Sequence, residues 1–490
     1  MDLLSVASVK RKLSHIEDTF GLEQAREADS DRVSGVDRFF WLRASKRPSG
    51  SHPRYAFRSG LSPDTPESSG QIRVCNLVLQ GGGTLGLAHA GFVAGLEQAG
   101  VRFLGLAGTS AGSIIAMGLA AIRGPDLDRK TSEELARLSS SVPMDSFIDG
   151  PRPIRIFIKR ALKRTGMFSP GFWLAALAAV KRLRDRRGLN YGDVFEAWLE
   201  EVMSEMDFGS IEQLDSALKA IWDDIEELTE PDLGDGIPAP ISRNGTGGSN
   251  GRNARHRDLL QLVTTAMPVG LKLTLPQDLS YLDPEYQRVS PARLVRTSMS
   301  IPAFFEPVTM RTNKSTWPTQ AGDSLGHLLP ENRLNFFKDL DELVFLDGGL
   351  VSNLPSDSFR EVMRDVPTIV VPLYGDQKNP AVTGRRAYRD LLGDALSCIS
   401  AIRLQRDREV WQQNKDLGVE FERLEEVRVE RHGGVARVYP TRMAEVNTAD
   451  KDWLNFVMTD NDKAELFQSG LDAAQEFLEE LDRQSVKRDT

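Results

Sequence analysis

The stretch from Ile72 to Ser113 reads IRVCNLVLQGGGTLGLAHAGFVAGLEQAGVRFLGLAGTSAGS. Its opening, Ile72 to Leu79, alternates and then runs apolar over a strand's length, and it stops at three consecutive glycines, Gly81, Gly82 and Gly83. This pattern predicts a buried strand that ends in a bare backbone turn. From Gly86 onward, Leu87, Ala90, Phe92, Val93 and Leu96 recur with a helical period as far as Gly100, which stands where a C-terminal cap belongs. A second apolar run, Phe103 to Ala107, leads into Gly108-Thr109-Ser110-Ala111-Gly112, after which Ile114, Ile115, Met117 and Leu119 resume a helical period. The predicted order is strand, glycine turn, helix, strand, serine turn, helix.

A strand that reverses abruptly into a helix holds its turn residue in strained backbone, with the side chain presented at the strand's end. Ser110 has that position. Gly108 and Gly112 flank it because a Cβ at either place would press on the neighbouring strand or helix. The helix that starts behind Ser110 points free N–H groups and its positive dipole end at any oxyanion formed there.

Two chemistries compete for the glycine turn. Gly81-x-Gly83-x-x-Gly86 between a strand and a helix has the spacing of a dinucleotide fingerprint, which requires an acid at the end of the second strand to hold a ribose. That strand ends in Ala107-Gly108 with no acid, so nucleotide binding is set aside. In the other reading, the amides of Gly82 and Gly83 converge with that of Ala111 on the oxyanion of an attacked ester.

The chain has 490 residues, 40% of them apolar, enough for a large core. Its net charge of −9 argues against a general nucleic-acid binder. The two cysteines, Cys75 and Cys398, are too few for a disulfide framework and point to a reducing, cytoplasmic setting. No secretory signal or membrane-spanning run is visible, so association with a membrane is expected to be peripheral.

Residues 1–70 read as an N-terminal extension in which 44–70 is a linker or a loosely packed arm, the compact domain begins near Gln71 and extends to 375, and 376–490 forms a mainly helical C-terminal region. Within that region, 385–430 reads as a long charged helix and Lys463 to Leu481 as a closing amphipathic one. Residues 125–257 look like a helical insertion, with a Gly/Pro/Asn/Ser-rich stretch at 231–253 that reads as a surface loop. Between 151 and 187 the insertion carries eleven basic side chains and one acid, a net +10 that leaves the remainder at −19. Arg182, Arg184, Arg186 and Arg187 stand near Phe172 and Trp173, a mixture that suits an anionic membrane surface and equally a helix pair packed against acids elsewhere. The segment Val295 to Val308 reads as a small-residue helix ending before Pro302 and then an apolar loop that suits the wall of an acyl pocket and equally ordinary core.

The second chemical landmark, Glu342 to Asn353, reads ELVFLDGGLVSN. Leu343 to Leu346 form a short buried strand with Asp347, Gly348 and Gly349 at its end. In a parallel sheet, strand ends along one edge share a crevice, so Asp347 is expected within reach of Ser110. A carboxylate beside a serine hydroxyl accepts its proton during attack without a histidine. A triad would need a histidine after the acid, and only His432 follows Asp347. His89 is expected to be a packed or capping residue.

Taken together, Gly81-x-Gly83-x-x-Gly86, Gly108-x-Ser110-x-Gly112 and Asp347-Gly348-Gly349, the last followed by Asn353-Leu354-Pro355, resemble the patatin-like phospholipases over residues 72–375. The resemblance implies a three-layer α/β/α fold with a mainly parallel sheet, a helical insertion and helical extensions. It also implies a Ser–Asp dyad that cleaves acyl esters of membrane lipids without metal or cofactor. Ser110 is then the nucleophile, Asp347 the base, and Gly82 and Gly83 oxyanion donors. This chain has Leu85 where the family commonly has Arg or Lys, so phosphate recognition comes from elsewhere or the substrate is a neutral ester. A soluble esterase or thioesterase, and a non-catalytic binding module, are the competing functions.

Overall fold

The computed structural model describes residues 2–21, 72–163, 170–224, 256–313, 340–374 and 441–483 apart from a few isolated positions, with shorter pieces in 32–46, 54–59, 428–437 and 486–487. One ten-stranded mixed sheet organises it. Its strands are β1 (Trp41–Lys46), β2 (Arg54–Ser59), β3 (Ile72–Leu79), β4 (Val101–Thr109), β5 (Leu260–Met267), β6 (Leu271–Leu275), β7 (Val308–Arg311), β8 (Glu342–Asp347), β9 (Thr368–Val371) and β10 (Thr441–Met443). The sheet is parallel at its centre, where β10, β9, β3, β4 and β5 run the same way. Antiparallel strands complete it: β1 on β3, β2 on β1, and β6 and β8 on β5, with β7 beyond β8. Helices on both faces make the α/β/α layering, and β3 and β4 are buried along their whole length, which is why both are largely apolar, with Arg73, Asn76, Arg102 and Thr109 as buried polar exceptions.

The registers decide where the strand ends meet. β6 pairs with Leu262 to Ala266 of β5. On the opposite edge, β4 takes Leu260 to Val263 and β8 takes Thr264 to Met267, because a strand residue has only two edges and β6 already holds one. β4 and β8 therefore lie end to end in one lane. Their carboxyl ends, Thr109 opposite Val263 and Asp347 opposite Thr264, occupy adjacent rungs. The expectation that Asp347 ends a parallel strand is corrected on this point. β8 runs antiparallel to β5 and approaches Ser110 from the opposite direction, because β5 outlasts β4 and leaves its second half for another partner.

The helices are α1 (Ala7–Phe20), α2 (Leu87–Gln98), α3 (Ala111–Arg123), α4 (Ser132–Ser141), α5 (Arg152–Lys163), α6 (Pro170–Arg186), α7 (Asp193–Glu205), α8 (Ile211–Asp224), α9 (Pro291–Ser298), the short α10 (Gly349–Ser352) and α11 (Asp460–Arg483). The insertion is helical from α4 to α8 in its described part, interrupted by the strand Gly188–Asn190. The loop expected at 231–253 lies outside the described residues. α11 crosses α2 closely, with Gly91 against the Phe467 carbonyl and Gly470 against the Ala88 carbonyl, positions where a Cβ would collide with backbone. With β10 in the sheet and α11 on α2, residues 441–483 belong to the same packed body as the 72–123 stretch.

The linker expected over 44–70 differs from what is observed. β1 and β2 form a hairpin that extends the antiparallel edge at Ile72–Val74, so the sheet begins at Trp41 rather than near Gln71. The charged residues of WLRASK and RYAFRS obscured two edge strands. The helix expected over 385–430 falls outside the described residues up to 427, and Arg428–Arg431 is a strand paired with Gly434–Arg437. No described helix is long and apolar enough to cross a membrane.

Candidate active site

Ser110 sits at φ 52° and ψ −119°, left-handed backbone for a non-glycine residue, between the end of β4 and the start of α3. Such a conformation costs on the order of 1–3 kcal/mol and persists only where the surroundings enforce it. The enforcing contacts are all to its main chain. The Ser110 N–H donates to Ser298 Oγ at 3.0 Å, and its carbonyl accepts from Ser113 N at 2.9 Å and Ser113 Oγ at 2.5 Å. The side-chain hydroxyl is buried and has no hydrogen-bond partner among the described residues. A buried hydroxyl left that way is costly, which is the pattern of a group reserved for a ligand.

Asp347 is also buried, and its Oδ1 accepts the Gly349 N–H at 2.7 Å, which orients the carboxylate at the end of β8. The serine and aspartate turns share a bracket. Ser298 Oγ, which receives the Ser110 N–H, itself donates to the Val263 carbonyl at 2.6 Å, while the Ser298 carbonyl accepts the Gly348 N–H at 3.2 Å. Two residues on, the Ser300 carbonyl accepts the Asp347 N–H at 2.8 Å. Thr109 Oγ1 adds a bond to the Ser352 carbonyl at 2.8 Å. The end of α9 thus fixes both turns. Sequence reading missed this role of Ser298 and Ser300, and its one trace was the cluster of hydroxyl residues Thr297, Ser298 and Ser300.

The glycine turn lies against the serine turn: a Cβ placed on Gly81 would come within 3.2 Å of the Ser110 Cβ. Gly83 has φ 55°, and a side chain there would meet the Trp453 carbonyl at 2.2 Å, so backbone conformation and space both call for glycine. A Cβ on Gly108 would likewise meet the Gly112 carbonyl carbon at 2.3 Å, where β4 and α3 fold on each other. The N–H groups of Gly82, Gly83 and Ala111 donate to no acceptor among the described residues. Leu85 is half-buried against the core, and no basic side chain replaces it in the turn.

Beside Gly83 and Ala111 opens a narrow cavity of about 80 Å³ whose walls come from α3, α4, α7 and the residues after α9. Ile114, Leu135, Phe195, Met299 and Ile301 are typical of its lining, in which, among the described residues, Thr84 and Ser139 are the two that carry hydroxyls. Of the segment after α9, Met299 and Ile301 border this cavity.

His89 is wholly buried on α2 and bonds the Gln80 carbonyl through Nε2 at 2.9 Å, which tethers the residue before the glycine turn. Burial lowers its pKa from 6.5 to about 4. Because the unfolded chain takes up this proton first, stability is complete above pH 6.5 and is lost as pH falls toward 4, by about 3 kcal/mol from this group. His89→Gln keeps a donor for Gln80 and does not titrate. Its urea midpoint should fall less between pH 7 and pH 4.5 than that of the native chain, and an equal fall would remove His89 as the cause.

The remaining expected site residues are more scattered. His432 lies outside the described residues. Arg182 does not belong to a basic surface: its guanidinium pairs with Glu306 at 2.6 Å, donates to the Leu189 carbonyl at 3.0 Å and lies 4.2 Å from the Tyr191 ring centroid. It ties α6 to the strand that follows, and counting basic residues could not separate it from its neighbours. Arg184, Arg186 and Arg187 are exposed. Phe172 and Trp173 lie in the first turn of α6, with their side chains outside the described residues. Among the described residues, no group of three His, Cys, Asp or Glu side chains is placed to hold a metal ion.

The family model of patatin-like phospholipases matches residues 77–360. The Uncharacterized protein YqhO of Bacillus subtilis (strain 168) is 28% identical over 241 residues, a match that spans 49% of this chain and 60% of that relative's length. A similar solved structure, VipD from Legionella pneumophila, is 16% identical, with a TM-score of 0.36 over 94% of this chain and 73% of its own.

Proposed function

The chain belongs to the patatin-like phospholipase family, and from that premise we propose that it hydrolyses carboxylic esters of membrane lipids through Ser110 and Asp347. The observation that carries this reading is the partnerless Ser110 hydroxyl at a strained turn, one rung of β5 from the Asp347 strand end. Asp347 accepts the hydroxyl proton as Oγ attacks the ester carbonyl carbon. The N–H groups of Gly82, Gly83 and Ala111 hold the oxyanion, aided by the positive end of α3. Collapse breaks the ester C–O bond, the leaving alcohol takes the proton from Asp347, and the acyl group remains on Ser110. Water then attacks the acyl carbonyl carbon with Asp347 again as base; the bond from Ser110 Oγ to the acyl carbon breaks, Oγ takes the proton back from Asp347, and a free fatty acid is released. The apolar cavity beside Ala111 suits the acyl chain, and Leu85 provides no charge for a phosphate. Mixed phospholipid and neutral-lipid vesicles should yield free fatty acids with the native chain and none with Ser110→Ala. Mass spectrometry of the products also identifies the ester cleaved, and vesicles left unchanged by the native chain, with soluble esters cleaved, would favour the esterase reading.

Access to such a substrate fits the surface of the insertion. Six of the seven large hydrophobic side chains exposed among the described residues fall between positions 156 and 194. Leu174, Leu177 and Val180 form one stripe along α6, 69%, 68% and 53% exposed, bordered by exposed Lys181 and Arg184. Apolar side chains among cations suit the boundary of an anionic bilayer. Changing Leu174 and Leu177 to Ser should weaken binding to anionic vesicles by about tenfold or more at any salt concentration. Changing Arg184, Arg186 and Arg187 to Gln should reproduce the effect of high salt, at about 1 kcal/mol per charge. Both variants should keep the native melting temperature and soluble-ester activity, and a parallel fall in stability and both activities would assign this face to core packing.

A further inference from the structure

The C-terminal segment from Lys451 to Thr459 runs as a strap across the glycine turn, although it is about 90 residues beyond the region matched by the family model. The Trp453 carbonyl accepts the Thr84 N–H at 2.9 Å, and Thr84 Oγ1 reaches the Trp453 carbonyl at 3.2 Å and that of Asp452 at 3.3 Å. Three residues later, Phe456 is buried and forms part of the wall of the apolar cavity. Its ring stacks on Phe304 at 4.6 Å and 13°, and meets Phe305 edge-on at 6.3 Å. The strap is pinned at both ends. Lys451 pairs with Asp462 at 2.8 Å and Glu465 at 2.7 Å, and Asp462 also accepts from Thr459 N and Oγ1.

We propose that this strap completes the acyl-chain site, with Phe456 setting the chain length that the cavity accepts. The proposal rests on reading the cavity beside Ala111 as the acyl seat. Phe456 reaches the cavity from outside the helical insertion, so its ring is a wall that neither α3 nor α7 supplies. Its size determines how much aliphatic chain is removed from water, and each methylene so buried changes affinity about fourfold. Trp453, by holding Thr84 through its carbonyl, keeps the same strap in register with the oxyanion turn.

The test compares the native chain with Phe456→Leu and Phe456→Trp, two apolar replacements that avoid the large cavity left by alanine. Saturated fatty acids of increasing length are used to displace a fluorescent fatty acid from each protein, and KM and kcat are measured on chromogenic esters of the same lengths. The leucine variant should prefer longer chains than the native protein and the tryptophan variant shorter ones, with the chain length of lowest KM shifting along the series in the same directions as the fatty-acid affinities. The same chain-length profile in all three proteins would overturn the proposal. A profile that shifts while hydrolysis proves independent of Ser110 would instead overturn the catalytic reading and leave the role of the strap in chain binding intact.

Discussion

Replacement of Ser110 by alanine should reduce ester hydrolysis by a factor on the order of 10⁴ or more, to the background of the solution reaction. The loss should come without unfolding. All the contacts that enforce the strained turn are made by the Ser110 N–H and carbonyl, while its hydroxyl has no partner among the described residues, so truncation at Cβ breaks no hydrogen bond there. Removing a buried unsatisfied hydroxyl is neutral or mildly stabilising. Circular dichroism and the melting temperature should therefore match those of the native chain while turnover of a chromogenic ester disappears. Retention of more than a small fraction of the native rate would exclude Ser110 as the nucleophile, and absence of turnover by the native chain itself would favour a binding module.

Asp347→Asn should lower kcat by about 100- to 10,000-fold, the range for removal of a general base. The substitution is nearly isosteric, and the amide oxygen can still accept the Gly349 N–H, so the turn after β8 should persist. What it removes is the capacity to take the serine proton. The effect should appear in kcat more than in KM, because the acyl chain and the oxyanion turn are untouched. His432→Ala should leave both constants near their native values. If His432→Ala abolished turnover with the fold intact while Asp347→Asn kept most of it, the base would be the histidine and the dyad would fail.

Much of the candidate site's framework was legible because it is local. β3, the glycine turn, α2, β4, the serine turn and α3 follow one another within the single quoted stretch, each bounded by glycines that mark its ends. Asp347 was legible as the end of an apolar strand, although that strand is only half-buried at Val344 and Leu346, and its direction was not legible. Pairing of β8 with the far half of β5 depends on contacts about 80 residues apart, and no local pattern encodes them. The same limit hid Ser298, which is 188 positions from the serine it supports, and Trp453, which is 369 from Thr84. Arg182 shows the limit on a surface. Its residue type matches that of Arg184, and only the opposing Glu306 and Tyr191 make one structural and leave the other in solvent.

The proposed hydrolysis requires one atom, Ser110 Oγ, to become covalently bound to the acyl group. A fluorophosphonate probe traps such a nucleophile irreversibly, and peptide mapping by mass spectrometry identifies the residue that carries it. Incubation of the native chain with the probe should give a single phosphonylated site, Ser110, with hydrolysis lost in step with labelling and no labelling of Ser110→Ala. A label on another residue, or full labelling of the alanine variant, would contradict the proposed chemistry.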